Sequence, residues 1–200
     1  MTVVLLPQYI GNKTVGITDI SVDYHRPSVN NRRIFGGLVP YDVIWCAGAN
    51  EPTKITFSTD AKIEGQPVAA GSYSLYLIPA KDQWTVVLNR FTGGWGTYSY
   101  DQGEDVLRAK VTPAAAEPQE RLVYTFDDAK PNAVTLNMHW EKTRVPVKIE
   151  VETQKLVSAN MQNQLRSELH WVPQAWTEAA RYALSNNDYD AASAYIDRNL

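Results

Sequence analysis

The residues best suited to hold a ligand lie in the polar segment 24–53. Its candidate binding residues are Arg26, Arg33, Asn50, Glu51 and Thr53. The two arginines lie beside apolar, turn-forming residues, and the other three come just before a strand-like segment, where side chains surround the end of a sandwich. An arginine can pair with Glu51, or with a carboxylate or phosphate of a ligand. The segment therefore predicts either an Arg–Glu network that pins a long loop to the core or a ligand pocket.

A second group of candidates occupies a glycine-rich loop and the strand-like segment after it. These residues are Trp95, Tyr98, Tyr100, Asp101, Asp105 and Arg108. The three aromatic rings could stack on a sugar ring or a base, although Gly93-Gly94-Trp95-Gly96 also fits a plain loop with a packed tryptophan. Asp105 and Arg108 could join the network of the first segment. With Glu51, the two aspartates are the carboxylates available for acid–base chemistry.

Signals for a metal site or a nucleophile are weak. His139 and Glu141 share one face of a strand, but a metal would need a third ligand such as Asp23 or His25, and the spacing supplies none. We therefore expect a solvated outer face there, and no metal or cofactor. Cys46 is the single cysteine, which excludes an intrachain disulfide and predicts a small buried residue. The motifs of serine hydrolases, zinc proteases and P-loop nucleotide binders do not occur in the sequence.

Short β-strands must position these residues. Apolar and polar residues alternate in about nine or ten segments between residues 14 and 152, most clearly at the even positions of 134–140. The alternation of Val15 and Ile17 slips at Thr18-Asp19, which predicts a bulge or tight turn. Pro146 implies an edge strand or a bulge. Because turns, and no helix-like segments, separate these strands, the pattern predicts a mainly β fold: an antiparallel β-sandwich or jelly-roll-like domain.

Beyond residue 153 the apolar spacing becomes that of helices. We expect one helix over roughly residues 154–169 and a second that begins at Pro173. A third should follow the break at Asn186-Asn187-Asp188. Its apolar face would consist of Ala192, Tyr195, Ile196 and Leu200. The last two helices resemble a single tetratricopeptide-like hairpin, which cannot bury its apolar face alone and could dock on a protein partner.

The spacing changes divide the chain into three parts. We expect an N-terminal extension over residues 1–13, a β-sandwich domain over 14–152 and a short α-helical tail over 153–200. The tail pattern stops without a C-cap signal, as a truncated repeat would.

Composition and charge narrow the class of protein. The 200 residues are 44% hydrophobic, which is enough for one sizeable core. A formal net charge of −3 argues against a dominant basic surface for nucleic acid. No stretch approaches the ~20 apolar residues of a membrane span, and the apolar run at the N-terminus is too short for a signal peptide.

Several motifs resemble the bacterial domain-of-unknown-function family 2911. They are Tyr24-x-Arg26-Pro27-Ser28, Arg33-x-Phe35-Gly36-x-Leu38-Val39-Pro40-Tyr41, Trp45-x-x-Gly48-Ala49-Asn50-Glu51-x-Thr53, Ala70-Gly71-x-Tyr73-x-Leu75, Ile78-Pro79, Trp84, Trp95-Gly96, Tyr100-Asp101, Asp105-Val106-Leu107-Arg108, Trp140-Glu141 and Val145-Pro146-Val147. The resemblance covers roughly residues 14–152. It implies an exported β domain, periplasmic or secreted, often followed by tetratricopeptide-like helices, and it implies no activity. The family usually has arginine where this chain has Cys46.

Two main hypotheses for the function follow. The first is a non-enzymatic binding or accessory module of the cell envelope, with a small polar or glycan-like ligand or a protein partner. The absence of catalytic motifs from the sequence favours this hypothesis. The alternative is a hydrolase or isomerase acting on a sugar or peptide, with Glu51 or Asp105 as base and Arg26 or Arg33 holding an anion. A scaffold without any ligand is a third possibility. The hypotheses differ in whether the candidate residues of segment 24–53 converge on an open pocket or bury one another.

Overall fold

The computed structural model describes residues 7–198. They divide into two compact units, with the boundary between Val151 and Glu152. The first unit consists of two antiparallel β-sheets and the second of three α-helices. The predicted mainly β fold, an antiparallel sandwich followed by C-terminal helices, is therefore confirmed.

Ten strands build the two sheets. In chain order they are β1 (Gln8–Val15), β2 (Thr18–His25), β3 (Thr53–Phe57), β4 (Ala61–Ile63), β5 (Gln66–Val68), β6 (Gly71–Ile78), β7 (Trp84–Asn89), β8 (Asp105–Val111), β9 (Ala114–Lys130) and β10 (Ala133–Glu150). The larger sheet has the order β1-β2-β3-β6-β7-β8 and the smaller one β5-β4-β10-β9. Sequence neighbours pair as antiparallel hairpins in most places, which matches the short turns between them.

Residues 8–13, which we assigned to an N-terminal extension, form β1 together with Thr14 and Val15. The sequence hides this strand because its inward positions carry a glycine and a lysine, whereas Ile10 points outward and is 63% exposed. An edge strand tolerates such a pattern, since only one of its sides pairs and little of it reaches the core.

A tight turn between β1 and β2 explains the slip in the alternation. Val15 pairs with Thr18, which leaves Gly16 and Ile17 as a two-residue loop. Gly16 has a φ of 60°, and two-residue hairpins favour glycine at such a position. The predicted turn is thus present, but two residues earlier than Thr18-Asp19. Ile17, expected in a strand, lies in the turn and is 40% exposed.

The core of the sandwich contains the side chains that the alternation assigned to it. The four apolar residues at even positions of 134–140 are all at most 2% exposed. Residues of both sheets join them in one continuous cluster. Burial of each such side chain contributes about 1.5–3 kcal/mol, so this cluster is the main source of stability of the β domain.

Strand β10 bends back on itself. The N–H of Val151 donates to the carbonyl of Asn132 at 2.9 Å, whereas a straight strand of this length would span about 60 Å. Register shifts flank Glu141, which has a φ of 55°. Pro146 lies between the last residue paired with β9 and the first paired with β4, so its missing N–H removes no ladder hydrogen bond.

The second unit contains α1 (Thr153–Arg166), α2 (Pro173–Ser185) and α3 (Tyr189–Asp197). Pro173 occupies the first turn of α2, as predicted. The side chain of Asp188 caps α3 by accepting the N–H of Ala191 at 3.2 Å. Ala192 is buried on α3, whereas Ile196 is 47% exposed; Leu200 lies outside the described residues. None of the helices described here is long and apolar enough to cross a membrane.

Candidate functional site

The segment between β2 and β3 connects the two sheets. Its start pairs with β9, where Val29 N donates to Glu120 O at 2.8 Å and Leu122 N donates to Pro27 O at 3.0 Å. Its later part pairs with β6 through two hydrogen bonds between Trp45 and Leu77. We call residues 26–52 the bridging segment.

The bridging segment has an unusual backbone. It holds five non-glycine residues with positive φ: Asn30, Asn31, Asp42, Ala47 and Asn50. Asparagine and aspartate tolerate this conformation, but alanine does so only at a cost of about 1 kcal/mol. The Ala47 conformation is held by its carbonyl, which accepts the hydroxyls of Thr53 at 2.9 Å and Tyr124 at 2.7 Å. Thr53, one of the predicted binding residues, is thus a fully buried anchor of this segment.

The arginines and the glutamate of the segment do not form one network. Arg26 donates from Nε to Leu122 O at 2.8 Å, and its guanidinium lies 4.8 Å from the centre of the Tyr9 ring. The carboxylate of Glu51 lies 3.6 Å from Nδ1 of His25 and is 52% exposed. Arg33 is exposed, and no described residue forms an ion pair with it. An Arg–Glu network therefore does not hold the bridging segment against the core.

Asn50 joins the bridging segment to the glycine-rich loop. Its carbonyl accepts the N–H of Gly96 at 2.7 Å, while its side-chain Nδ2 is buried without a partner among the described residues. In the loop, Trp95 is 39% exposed and Tyr98 is 91% exposed. Tyr100 instead donates its hydroxyl to Asp105 at 2.8 Å and packs against Tyr76. The three predicted rings therefore do not build a single platform.

Tyr100, Asp105 and Arg108 form a closed cluster at β8. The Asp105 carboxylate accepts hydrogen bonds from Asn89 Nδ2 at 2.9 Å, Tyr100 Oη at 2.8 Å and Arg108 Nε at 2.7 Å. Arg108 Nη2 also donates to Tyr100 Oη at 2.6 Å. The hydrogen bond to Asp105 raises the pKa of Arg108, and burial raises the pKa of Tyr100. The side chain of Asp105 is only 7% exposed, so these partners satisfy it and leave it little access to a substrate. The nearby Asp101 carboxylate accepts the N–H of Gly103 at 2.8 Å, which caps a turn of 3₁₀ helix.

The best candidate for a ligand site is a cavity between the bridging segment and β10. Its volume is about 440 Å³, within the size range of small-molecule sites. The residues that line it are Pro27, Ser28, Asn30, Arg32, Leu38, Val39, Trp45, Gly48, Ala49 and Trp140. We call it the Trp140 cavity.

Two stacked indoles border the Trp140 cavity. The rings of Trp45 and Trp140 lie 5.7 Å apart at an angle of 20°. Trp45 donates its Nε1 hydrogen to Gly48 O at 3.1 Å, but Trp140 Nε1 is buried and has no partner in the part of the chain that the structure describes. A buried donor without a partner costs about 1–3 kcal/mol, and Asn50, Asn137 and His139 each carry another buried polar atom without a partner among the described residues.

The Trp140 cavity lies beside the segment that the sequence marks, but other side chains line it, and the binding role of the predicted residues stays a prediction. Arg26, Arg33, Glu51, Asp105 and Arg108 do not line the Trp140 cavity. Trp140 was missed because its alternation marks it as a core residue, which it also is. Trp45 and Arg32 lie in the polar segment 24–53, but the sequence does not show that they border a cavity. Only the fold brings them together with the other residues of its lining.

A second cavity of about 560 Å³ lies near the ends of β8, β9 and β10. Lys110, Lys130 and Lys148 line it together with Glu64 and Asp128. Two of these lysines are already engaged, Lys110 with a threonine hydroxyl and Lys148 with a glutamate. This cavity therefore presents charges of both signs, three lysines and two carboxylates.

The structure also locates the residues considered for metal or nucleophilic chemistry. Cys46 is buried, and burial raises the pKa of its thiol, which disfavours the thiolate that a nucleophile requires. Burial also lowers the pKa of His139, whose Nε2 is enclosed, so this residue is less solvated than expected. Among residues 7–198 no group of three or more His, Cys, Asp or Glu residues is arranged to hold a metal ion.

These features define a class of protein: a two-sheet β domain in which a long segment bridges the sheets and borders an open, tryptophan-lined cavity. The model of the family described as a protein of unknown function (DUF2911) matches residues 7–149. The chain belongs to that family, and the match includes β1. No curated protein and no solved structure matches the chain.

Proposed function

We propose that the β domain is a non-catalytic binding or accessory module of the bacterial cell envelope, and that it holds a small polar or glycan-like ligand in the Trp140 cavity. The observation that carries this proposal is the cavity itself, which has the volume of a small-molecule site and is bordered by the stacked indoles of Trp45 and Trp140. The aromatic and apolar side chains of the lining could pack against a ligand, and Ser28, Asn30 and Arg32 offer polar groups that could orient it. The location in the envelope follows from the family resemblance of the motifs.

The contacts of the two candidate bases favour a binding module over the alternative of a hydrolase or isomerase. Glu51 is half-exposed beside His25, and Asp105 is enclosed by three donors. Neither carboxylate lines the Trp140 cavity. A general base must lie within hydrogen-bond reach of the proton that it removes. Neither Glu51 nor Asp105 is placed to reach a ligand held in the Trp140 cavity.

The proposal is tested by a ligand screen followed through the indole N–H resonances of the ¹⁵N-labelled protein. The sequence has six tryptophans, and the resonance lost in Trp140→Phe assigns Trp140. We expect a true ligand to shift this resonance and to protect the protein against thermal unfolding. If no member of a broad panel of sugars, amino acids and small acids shifts it, the proposed site is wrong.

A matched pair of variants separates binding in the cavity from binding elsewhere. Ala49→Leu adds three carbon atoms to the wall of the Trp140 cavity and should weaken binding at least tenfold. Ala69→Leu adds the same atoms at an exposed position and should leave binding unchanged. Equal affinities in both variants would place the ligand outside the cavity. Fractionation of the source cells tests the location, since recovery in the cytoplasm would contradict an envelope module.

A further inference from the structure

We infer that the hydroxyls of Thr53 and Tyr124 shape the Trp140 cavity, because they hold Ala47 in the left-handed conformation that places one wall of it. Neither residue lines the cavity, so each is a positioning residue that acts on a ligand through the backbone. Where it concerns affinity, this inference rests on the proposed function, whereas its structural part can be measured without a ligand. Thr53, which the sequence marks as a binding residue, would thus contribute indirectly.

The wall in question is a short stretch of backbone at the end of the bridging segment. Gly48 and Ala49, in the middle of this stretch, line the cavity. The residues on either side of them both have positive φ, 54° at Ala47 and 62° at Asn50. Because these two angles set the direction of the chain between them, they determine where Gly48 and Ala49 lie. We call residues 47–50 the wall segment.

Ala47 is the residue of the wall segment that needs outside support. Asparagine enters the left-handed region readily, whereas alanine has no polar side chain that could stabilise it there. Two distant strands supply the support: the carbonyl of Ala47 accepts the hydroxyl of Thr53 from β3 at 2.9 Å and that of Tyr124 from β9 at 2.7 Å. Ala47 and Thr53 are 0% exposed and Tyr124 is 6% exposed, so water does not compete for this carbonyl. The conformation of Ala47 therefore depends on the two hydroxyls.

The wall segment also holds one of the two stacked indoles. Nε1 of Trp45 donates to the carbonyl of Gly48 at 3.1 Å, and the ring of Trp45 stacks on that of Trp140 at 5.7 Å. We expect a rotation of Ala47 out of the left-handed region to redirect the Gly48 carbonyl and to break this hydrogen bond. The two buried hydroxyls are thereby linked to the aromatic border of the cavity, and the indole N–H of Trp45 reports the conformation of the wall segment.

The test compares Tyr124→Phe with Tyr73→Phe in the ¹⁵N-labelled protein. Each variant removes one tyrosine hydroxyl that donates to an alanine carbonyl, since Tyr73 donates to Ala69 O at 2.9 Å. We expect Tyr124→Phe to shift the indole resonance of Trp45, which Trp45→Phe assigns, and its combination with Thr53→Val to shift it further. The combined variant should also bind a ligand found in the screen at least tenfold more weakly. Tyr73→Phe should lower stability but leave both the resonance and the affinity unchanged.

Ala47→Gly separates the backbone mechanism from a general loss of stability. Glycine adopts the left-handed conformation without steric cost, so with glycine at this position the wall segment no longer needs the two hydroxyls. Added to the combined variant, Ala47→Gly should return the affinity to within threefold of the unaltered protein. It should also move the Trp45 resonance back towards its original position, even where stability falls further.

Each outcome decides the inference separately from the proposed function. The inference is wrong if the combined variant leaves the Trp45 resonance unchanged, or if Tyr73→Phe changes it equally. Failure of Ala47→Gly to restore the resonance would also overturn it, because the hydroxyls would then act by another route. Should the combined variant fail to fold, Tyr124→Phe with and without Ala47→Gly gives the same comparison. If no member of the panel binds, the proposed function fails, and the Trp45 resonance alone still decides the inference.

Discussion

Asp105→Ala tests whether the cluster at β8 is structural. The variant removes an acceptor of three hydrogen bonds, from Asn89, Tyr100 and Arg108. The two neutral bonds contribute about 0.5–1.5 kcal/mol each. The bond to Arg108 is charge-assisted, but this side chain is 36% exposed, so solvent screening reduces its share to about 1 kcal/mol. We therefore expect the free energy of unfolding to fall by about 3 kcal/mol.

Urea denaturation at neutral pH, followed by circular dichroism, measures this loss, and an unchanged m-value keeps the comparison valid. Asp82→Ala is the matched control, since Asp82 is exposed and its removal should change stability by less than about 0.5 kcal/mol. A loss below about 1 kcal/mol for Asp105→Ala would refute the structural reading. If stability stayed constant while ligand binding disappeared, Asp105 would be a binding residue instead.

Three further perturbations probe other contacts. Burial raises the pKa of Tyr124, so above pH about 10 the unfolded chain releases its phenolic proton while the folded chain retains it, and stability falls as the pH rises. Tyr124→Phe should make urea midpoints depend less on pH in this range; an unchanged slope would contradict the assignment. Glu51→Ala should cost less than about 1 kcal/mol, because its partner is a histidine at 3.6 Å and its carboxylate is half-exposed; a loss above about 2 kcal/mol would indicate a buried arginine partner. Trp95→Ala should preserve both the melting temperature and the affinity of the Trp140 cavity, and weaker ligand binding in this variant would move the site to the glycine-rich loop.

The strands could be predicted where burial alone decides the side-chain pattern. The run from Val134 to Trp140 faces the core at every even position because a strand alternates its faces without exception over this length. Strand β1 escaped prediction because it lies at an edge and only its last residue, Val15, is buried. The turn at Gly16 was displaced for a related reason, since Ile17 looks like a strand residue but its backbone position is set by the hairpin.

The site was harder to predict because residue type does not reveal partners. Arg26 and Arg33 are equivalent in the sequence, yet one binds a carbonyl of β9 and the other is exposed. Glu51 lies near both arginines along the chain, but its partner is His25 from the end of β2. Trp140 lines the cavity together with the bridging segment. This placement could be predicted only if one knew which loop packs against Trp140. Such distant pairings follow from topology, and a single sequence does not encode them locally.

The bridging segment depends on a strand that is made much later in the chain. Arg26 is 96 positions from Leu122, and Ala47 is 77 positions from Tyr124. Closing such long loops is slow and entropically costly, so these contacts form only with a nearly complete fold. During synthesis, the ribosome must therefore extend the chain well past β9 before the proposed ligand site can form. A chain shortened ahead of this point should not bind the proposed ligand, so ligand binding would report whether the β domain is complete.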